Sequence, residues 1–170
     1  MDEDRFWAII GATREEAGSD SARVARLLFR RLRVLGPAEV VEFVRWWERA
    51  RSRLYSWPVT DAAAVLLGPV DEDDEELERI QDWIISYGRE TVDRVARDPD
   101  CLAGLVADRG SARADSFEEF LAEAHMVVAG SWPPDYDPDG PDDLVGEQTD
   151  LGDPEAVRRR FPRLAALREE

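Results

Sequence analysis

The chain contains no lysine and no asparagine, and it has one cysteine (Cys101) and one histidine (His125) among 170 residues. A single cysteine cannot form an intramolecular disulfide, and these two residues are too few for a Cys/His zinc site. Without lysine there is no Schiff-base or amine chemistry, because arginine stays protonated at ordinary pH. A Walker loop, a dinucleotide-binding glycine pattern and a nucleophile elbow are also missing, so we expect no cofactor.

Long apolar runs are missing too. No stretch approaches the roughly 20 residues that cross a bilayer. The chain opens with Met1-Asp2-Glu3-Asp4-Arg5, whereas a secretory signal opens with positive charge followed by an apolar stretch. We therefore expect a cytoplasmic protein that does not bind membranes.

Negative charge is abundant but unevenly spread along the chain. The net charge is −16, yet residues 14–53 contain 10 arginines and 6 acids, while residues 71–150 contain 6 arginines and 24 acids. Net repulsion disfavours a nucleic-acid partner, although Arg45, Arg49 and Arg53 repeat every four residues on one predicted helix. A basic protein partner would be attracted instead.

The apolar residues recur at helical spacing and predict an all-α fold. We expect a compact orthogonal multi-helix domain over residues 1–130, then an acidic Pro/Gly/Asp-rich extended segment over 131–152. A basic C-terminal helix over 153–170, interrupted at Phe161-Pro162, would pack on the domain or trail from it. The oligomeric state remains open.

Several boundaries follow from local signals. Gly18-Ser19-Asp20 separates the first two helices, and Pro37 opens the third, which should end near Ser56 because Pro58 disfavours helix just before it. Residues 61–67 predict one or two helical turns, and Asp98-Pro99 predicts a short helix that ends near Asp108.

One candidate ligand pocket is formed by Trp83, Tyr87 and Arg89, in which Arg89 would bind an anionic group. The alternative is a buried helix end, with Gly88 as a cap and Arg89 paired with Asp82 or Glu90. The spacing favours this second interpretation.

Six consecutive acids, from Asp71 to Glu76, precede an apolar helical stripe. Carboxylates bind hard cations, but a helix spreads neighbouring side chains around its axis. We therefore expect a solvated helix start that suits the helix dipole, with Asp73 and Asp74 as partner-binding candidates.

A second acidic motif resembles the start of a calcium loop. Asp135, Asp137 and Asp139 occupy its first, third and fifth positions, Gly140 the sixth and Asp143 the ninth. The twelfth position is Gly146, however, where a bidentate glutamate is needed. A plain acidic linker is the favoured interpretation.

His125 lies at the border of an apolar helix face, with no carboxylate in reach along its own helix. As a general base it would need a nucleophile or an orienting group nearby. A half-buried histidine satisfied by a neighbour is the simpler expectation, as core packing is for Cys101.

Three segments carry a family resemblance. They are Asp4-Arg5-Phe6-Trp7-Ala8-Ile9-Ile10, Trp83-Ile84-Ile85-Ser86-Tyr87-Gly88-Arg89 and Asp98-Pro99-Asp100-Cys101-Leu102-Ala103. They resemble an uncharacterised bacterial family catalogued as domain of unknown function 4240. Family members often carry Gly-Gly-Cys followed by serine and aspartates near Gly68, where this chain has Gly68-Pro69-Val70. The resemblance implies a helical domain found in actinobacteria and other bacteria, and no known reaction.

Two functions are compatible with these sequence features. The first is a non-enzymatic interaction or regulatory domain whose acidic half meets a basic protein, in the manner of an inhibitor or immunity protein. The second is a small enzyme that acts on a polar small molecule or peptide in a Trp-lined cleft. It would use Arg89, His125 and carboxylates such as Asp73, Asp74 or Asp82. Convergence of these groups in one pocket would favour the enzyme.

Overall fold

A computed structural model describes residues 1–70, 74–112, 117–132, 140–141 and 143–168. The described residues form nine α-helices and one long 3-10 helix, and their only extended pairing is an isolated parallel bridge between Ser56 and Val145. The predicted all-α class is confirmed. The elements are α1 (Glu3–Ala17), α2 (Ser21–Leu32), α3 (Pro37–Leu54), α4 (Trp57–Leu67), α5 (Asp74–Ile85), α6 (Arg89–Arg97), the 3-10 helix (Pro99–Ser111), α7 (Phe117–Ala129), α8 (Pro154–Arg160) and α9 (Pro162–Leu167).

The first helices begin and end where local chemistry dictates. The Asp20 carboxylate accepts a hydrogen bond from Arg23 N at 2.8 Å and caps α2. Gly18 ends α1 with a φ of 69°, a left-handed conformation that favours glycine. Pro37 opens α3 at a position where no backbone donor is needed. The predicted break at residues 18–20 and the start of the third helix are confirmed.

Two predicted elements differ from the structure. Helix α4 begins at Trp57 rather than near Asp61, because Pro58 falls in its first turn, where a fixed φ and a missing N–H are tolerated. The short helix predicted after Asp98-Pro99 is present, but it is a 3-10 helix and it extends to Ser111 rather than ending near Asp108. Proline placement alone did not distinguish a helix start from a helix stop.

The core is centred on α3, which packs against α1, α5, α6 and α7. Trp47 is fully buried, stacks on Phe117 at a centroid distance of 5.7 Å and contacts Phe6 and Phe43 through tilted or edge-on rings. Such aromatic pairs add about 0.5–1.5 kcal/mol each beyond the apolar area that they bury.

The end of the chain lies against the rest of the domain. We use the name C-terminal segment for residues 143–168. Its helices α8 and α9 contact each other, and α9 packs on the 3-10 helix and on α4. Phe161 separates the two helices and is fully buried. The predicted interruption at Phe161-Pro162 is therefore confirmed.

Within the described ranges, no helix combines the length and the apolar character that crossing a membrane requires.

Candidate functional site

Trp83 on α5 and Tyr87, two residues after the end of α5, share one acceptor on the 3-10 helix. The Tyr87 hydroxyl donates to Asp108, and Trp83 Nε1 donates to the same carboxylate oxygen at 3.3 Å. The Arg14 guanidinium lies 4.0 Å from the centre of the Tyr87 ring, and its Nε donates to the Ser86 carbonyl at 3.0 Å. This polar cluster joins α1, α5 and the 3-10 helix.

The protonation states of the side chains in this cluster favour a structural role over a role in proton transfer. Burial and then the hydrogen bond to Asp108 raise the pKa of Tyr87 above its ordinary value. Burial alone would raise the pKa of Asp108, but hydrogen bonds from Ser111, Tyr87 and Trp83 outweigh it and lower that pKa. Tyr87 is thus a protonated donor and Asp108 an ionised acceptor engaged by several donors.

Arg89 points away from this cluster. Its guanidinium lies 2.9 Å from Asp4 Oδ1 and 3.5 Å from Glu3 Oε2, and its side chain is 46% exposed. The expected pairing with Asp82 or Glu90 is replaced by these two acids at the start of α1. Arg89 therefore joins α6 to the N-terminus, whereas Trp83 and Tyr87 bind Asp108.

Asp82 is fully buried and lies at the interface of α3 and α5. It accepts from Arg51 Nε, Arg51 Nη2 and Trp47 Nε1, each at 2.7 Å. Burial alone would lower the pKa of Arg51, but the charge and hydrogen bonds of Asp82, with the charges of Glu48 and Glu78, raise it above its ordinary value. This bidentate pair is a contact of the protein core.

His125 is buried on α7, and its Nδ1 lies 2.7 Å from the Ser131 carbonyl oxygen. An imidazole nitrogen this close to a carbonyl acts as the donor, which fixes the tautomer. This contact is local to the end of α7, and none of Trp83, Tyr87 or Arg89 takes part in it.

The acidic candidates are only partly covered by the structure. Asp73, Asp135, Asp137 and Asp139 lie outside the described residues, Asp74 begins α5, and Asp143 is exposed. Within the ranges that are described, no group of three or more His, Cys, Asp or Glu side chains could hold a metal ion. The calcium prediction stays a prediction.

A concave site between α1 and α3 was not predicted from the sequence. This tryptophan–arginine groove has a volume of about 370 Å³. Its lining comprises Glu3, Trp7, Trp46, Arg49, Ala50, Ser52, Arg53, Gly140 and Pro141. The Arg49 guanidinium lies 4.6 Å from the centre of the Trp46 ring. Trp46 and Arg49 are three residues apart on one helix, a spacing that could have indicated the pair.

Two further buried carboxylates were not predicted from the sequence, and both bind the C-terminal segment. Asp100 accepts from Leu164 N at 2.9 Å and from Arg163 N at 3.0 Å, which caps α9 from a distant part of the chain. Asp61 accepts from Thr149 N at 2.6 Å. The one sequence signal for the burial of Asp61 was its position inside the apolar stretch Val59–Leu67.

Their environments shift the two pKa values in opposite directions. Burial alone would raise the pKa of Asp100, but the backbone hydrogen bonds from Leu164 and Arg163 outweigh it and lower that pKa. For Asp61, burial dominates over the Thr149 hydrogen bonds and the charge of Arg160, so its pKa is raised.

Comparison with known proteins gives a family and no activity. No protein of curated function and no solved structure matches the chain. The model of one family, described as a protein of unknown function (DUF4240), matches residues 1–129. That range includes the polar cluster, the Arg51–Asp82 pair and both aspartates that hold the C-terminal segment, as well as the three segments that carried the resemblance. The chain therefore belongs to the DUF4240 family of proteins of unknown function.

Proposed function

We propose that this chain is a non-enzymatic, acidic protein-interaction or regulatory domain of the bacterial cytoplasm, and that its partner is a basic protein. The observation that carries the proposal is the acidic stretch with which the C-terminal segment begins. Residues 143–155 contain five carboxylates and no basic residue, and Asp143, Glu147 and Glu155 among them are exposed. A net charge of −16 attracts a cationic protein at long range, and this local cluster offers a place to dock.

The backbone of this acidic stretch is held in place before any partner arrives. Trp57 N donates to the Val145 carbonyl at 2.9 Å, and Thr149 N donates to Asp61. Val145 is 52% exposed and Leu151 is 36% exposed, so apolar side chains alternate with the acids. A segment that is already ordered loses less conformational entropy on binding, and exposed apolar groups add contact area.

The dispersal of the candidate catalytic groups also supports an interaction domain over a small enzyme. Tyr87 is held by Asp108, Arg89 by two acids of α1, and His125 lies against the Ser131 carbonyl. A general acid, a base and an anion-binding group would need to meet around one substrate.

The experiment begins with affinity capture from the source bacterium, and the purified partner is then titrated against the chain by calorimetry. The triple variant Asp143→Asn/Glu147→Gln/Glu155→Gln should bind about tenfold or more weakly, because three charges leave the docking surface. The matched control, Glu15→Gln/Glu119→Gln/Glu123→Gln, changes the net charge equally at exposed positions elsewhere and should retain most of the affinity.

The salt dependence of the affinity is the decisive measurement. Raising NaCl from about 0.1 M to half-molar shortens the Debye length well below 10 Å and should weaken the complex substantially. A dissociation constant that does not change in half-molar salt, or equal losses in the two triple variants, would overturn the proposal.

A further inference from the structure

We infer that the tryptophan–arginine groove binds a small planar anion, of the chemical class of an aromatic carboxylate. The inference concerns a small ligand and does not depend on the protein partner proposed above. Three properties of the groove lead to it: its size, the Arg49 guanidinium and the state of its two indoles.

The size of the groove suits a small molecule. A volume of about 370 Å³ lies near the lower end of ordinary ligand pockets, which run from about 300 to 1,000 Å³. Trp7, Trp46 and Ala50 supply apolar surface on the α1 and α3 sides, and Gly140 and Pro141 line another part of the groove. A ligand with one or two fused rings fits such a space.

Charges in the groove are paired, with one exception. Arg53 pairs with Asp93, and Glu3 lies 3.5 Å from Arg89 and accepts from Trp7 Nε1 at 3.1 Å. In the described part of the chain, Arg49 has no carboxylate partner, and its recorded contact is the face of Trp46. Of the charged side chains described in the groove, Arg49 is therefore the one that can bind an anion without losing an ion pair.

The two indole rings favour a planar ligand that packs on them over a ligand that accepts a hydrogen bond from them. Trp7 Nε1 is engaged by Glu3, and Trp46 Nε1 donates to the Met1 carbonyl at 3.3 Å. With both N–H groups occupied, the rings contribute apolar and π surface, on which another aromatic ring packs well. The Arg49 guanidinium, held over Trp46, has N–H groups that a carboxylate accepts in a bidentate arrangement. A flat body with one carboxylate meets both requirements.

Titration with 2-naphthoate, followed by the tryptophan indole N–H signals in ¹H–¹⁵N NMR spectra, tests the inference. We expect saturable shifts of the Trp7 and Trp46 signals. Arg49→Gln should weaken the binding about tenfold or more, because a hydrogen bond between charged groups is lost. The neutral isostere 2-naphthamide should bind more weakly by a similar factor.

Arg33→Gln is the matched control, since Arg33 also lies over an aromatic ring, that of Phe29 at 5.4 Å, but outside the groove. This variant should bind naphthoate as the wild type does. The inference is wrong if neither indole signal shifts saturably, if the amide binds as tightly as the acid, or if Arg49→Gln leaves the affinity unchanged. An unaltered thermal midpoint of Arg49→Gln shows that any loss of affinity is not a loss of fold.

Discussion

Asp82 and Asp100 are both buried carboxylates that accept several hydrogen bonds, but they serve regions built in different ways. Asp82 lies inside the α3–α5 interface, where an apolar core surrounds it and its partners are side chains. Asp100 lies at the boundary with the C-terminal segment, and its main partners are backbone N–H groups of α9. The first region is held mainly by apolar packing, whereas the second combines buried apolar side chains such as Phe161 and Leu164 with polar contacts made across long stretches of chain.

This difference indicates that the acidic residues of the chain have two separate roles. The chain has 38 acidic residues, yet Asp61, Asp82 and Asp100 are only 2%, 0% and 4% exposed. Arginine side chains and backbone N–H groups hold them in the interior. Part of the negative charge is therefore structural, and the remainder is available to a partner.

The largest expected effect is that of Asp82→Ala. The substitution leaves the Arg51 guanidinium buried without its counter-charge and should lower the free energy of unfolding by about 3–5 kcal/mol. Urea denaturation measures the loss. In the double variant Arg51→Met/Asp82→Asn, the buried charge is gone and Trp47 keeps an acceptor, so the loss should be smaller than in the single variant. A cost below about 1 kcal/mol for Asp82→Ala would contradict the role assigned to the pair.

A smaller loss of stability is expected at the boundary with the C-terminal segment. Asp100→Ala removes the acceptor for the first turn of α9 and should cost about 1–3 kcal/mol, the range for a lost helix cap with charge-assisted hydrogen bonds. Asp98→Asn is the control, because Asp98 pairs with Arg163 but is 56% exposed, and exposed pairs contribute little. Equal urea midpoints for Asp100→Ala and the wild type would refute the capping role.

The contribution of Asp100 should also depend on pH. Its pKa is lowered in the folded state, so its stabilising effect is present above the ordinary aspartate value of 3.8 and is lost as the pH falls through the folded pKa. The stability difference between the wild type and Asp100→Ala, measured by urea titrations from pH 7 downward, should therefore shrink in acid. A difference that grows in acid would show that the sign is wrong.

Asp61 should behave in the opposite sense. Its raised pKa means that the folded state favours the protonated form, so stabilisation from this group is greatest below 3.8 and is lost as the pH rises through the folded pKa. Asp61→Asn keeps an oxygen acceptor for Thr149 N and buries no charge. We expect the variant to equal the wild type or exceed it by up to about 1 kcal/mol at pH 7. A clear loss of stability at pH 7 would count against this account.

The smallest effect is expected for Arg89→Gln. Its ion pairs with Glu3 and Asp4 are exposed, and exposed pairs contribute about 0–1 kcal/mol. Thermal unfolding should shift little, in contrast to substitutions at Arg51. A large shift would mean that Arg89 joins α6 to α1 more strongly than its exposure indicates.

Much of the fold could be predicted from local signals, because caps and helical stripes act over a few residues. The Asp20 cap, the helix opened by Pro37 and the break at Phe161 are examples. The helix that follows Asp98-Pro99 was also predicted, but its 3-10 type was not, because apolar spacing does not distinguish a 3-10 helix from an α-helix over so short a stretch.

The site residues were harder to predict, because their partners are far away in sequence. Asp82 and Arg51 are separated by 31 positions, and Asp100 and Leu164 by 64. No periodic pattern links such pairs, so an acid that caps a distant helix looks the same in sequence as one that faces solvent. The groove was missed for the same reason, since Trp7 and Trp46 meet only when α1 packs on α3.

Native-state hydrogen exchange of the Asp100→Ala variant at neutral pH is the most direct test of this two-region account. The account predicts that amides of α9, such as those of Leu164 and Ala165, lose protection while amides in the middle of α3 and α5 keep it. Equal loss of protection in all three helices, or unchanged protection in α9, would contradict it.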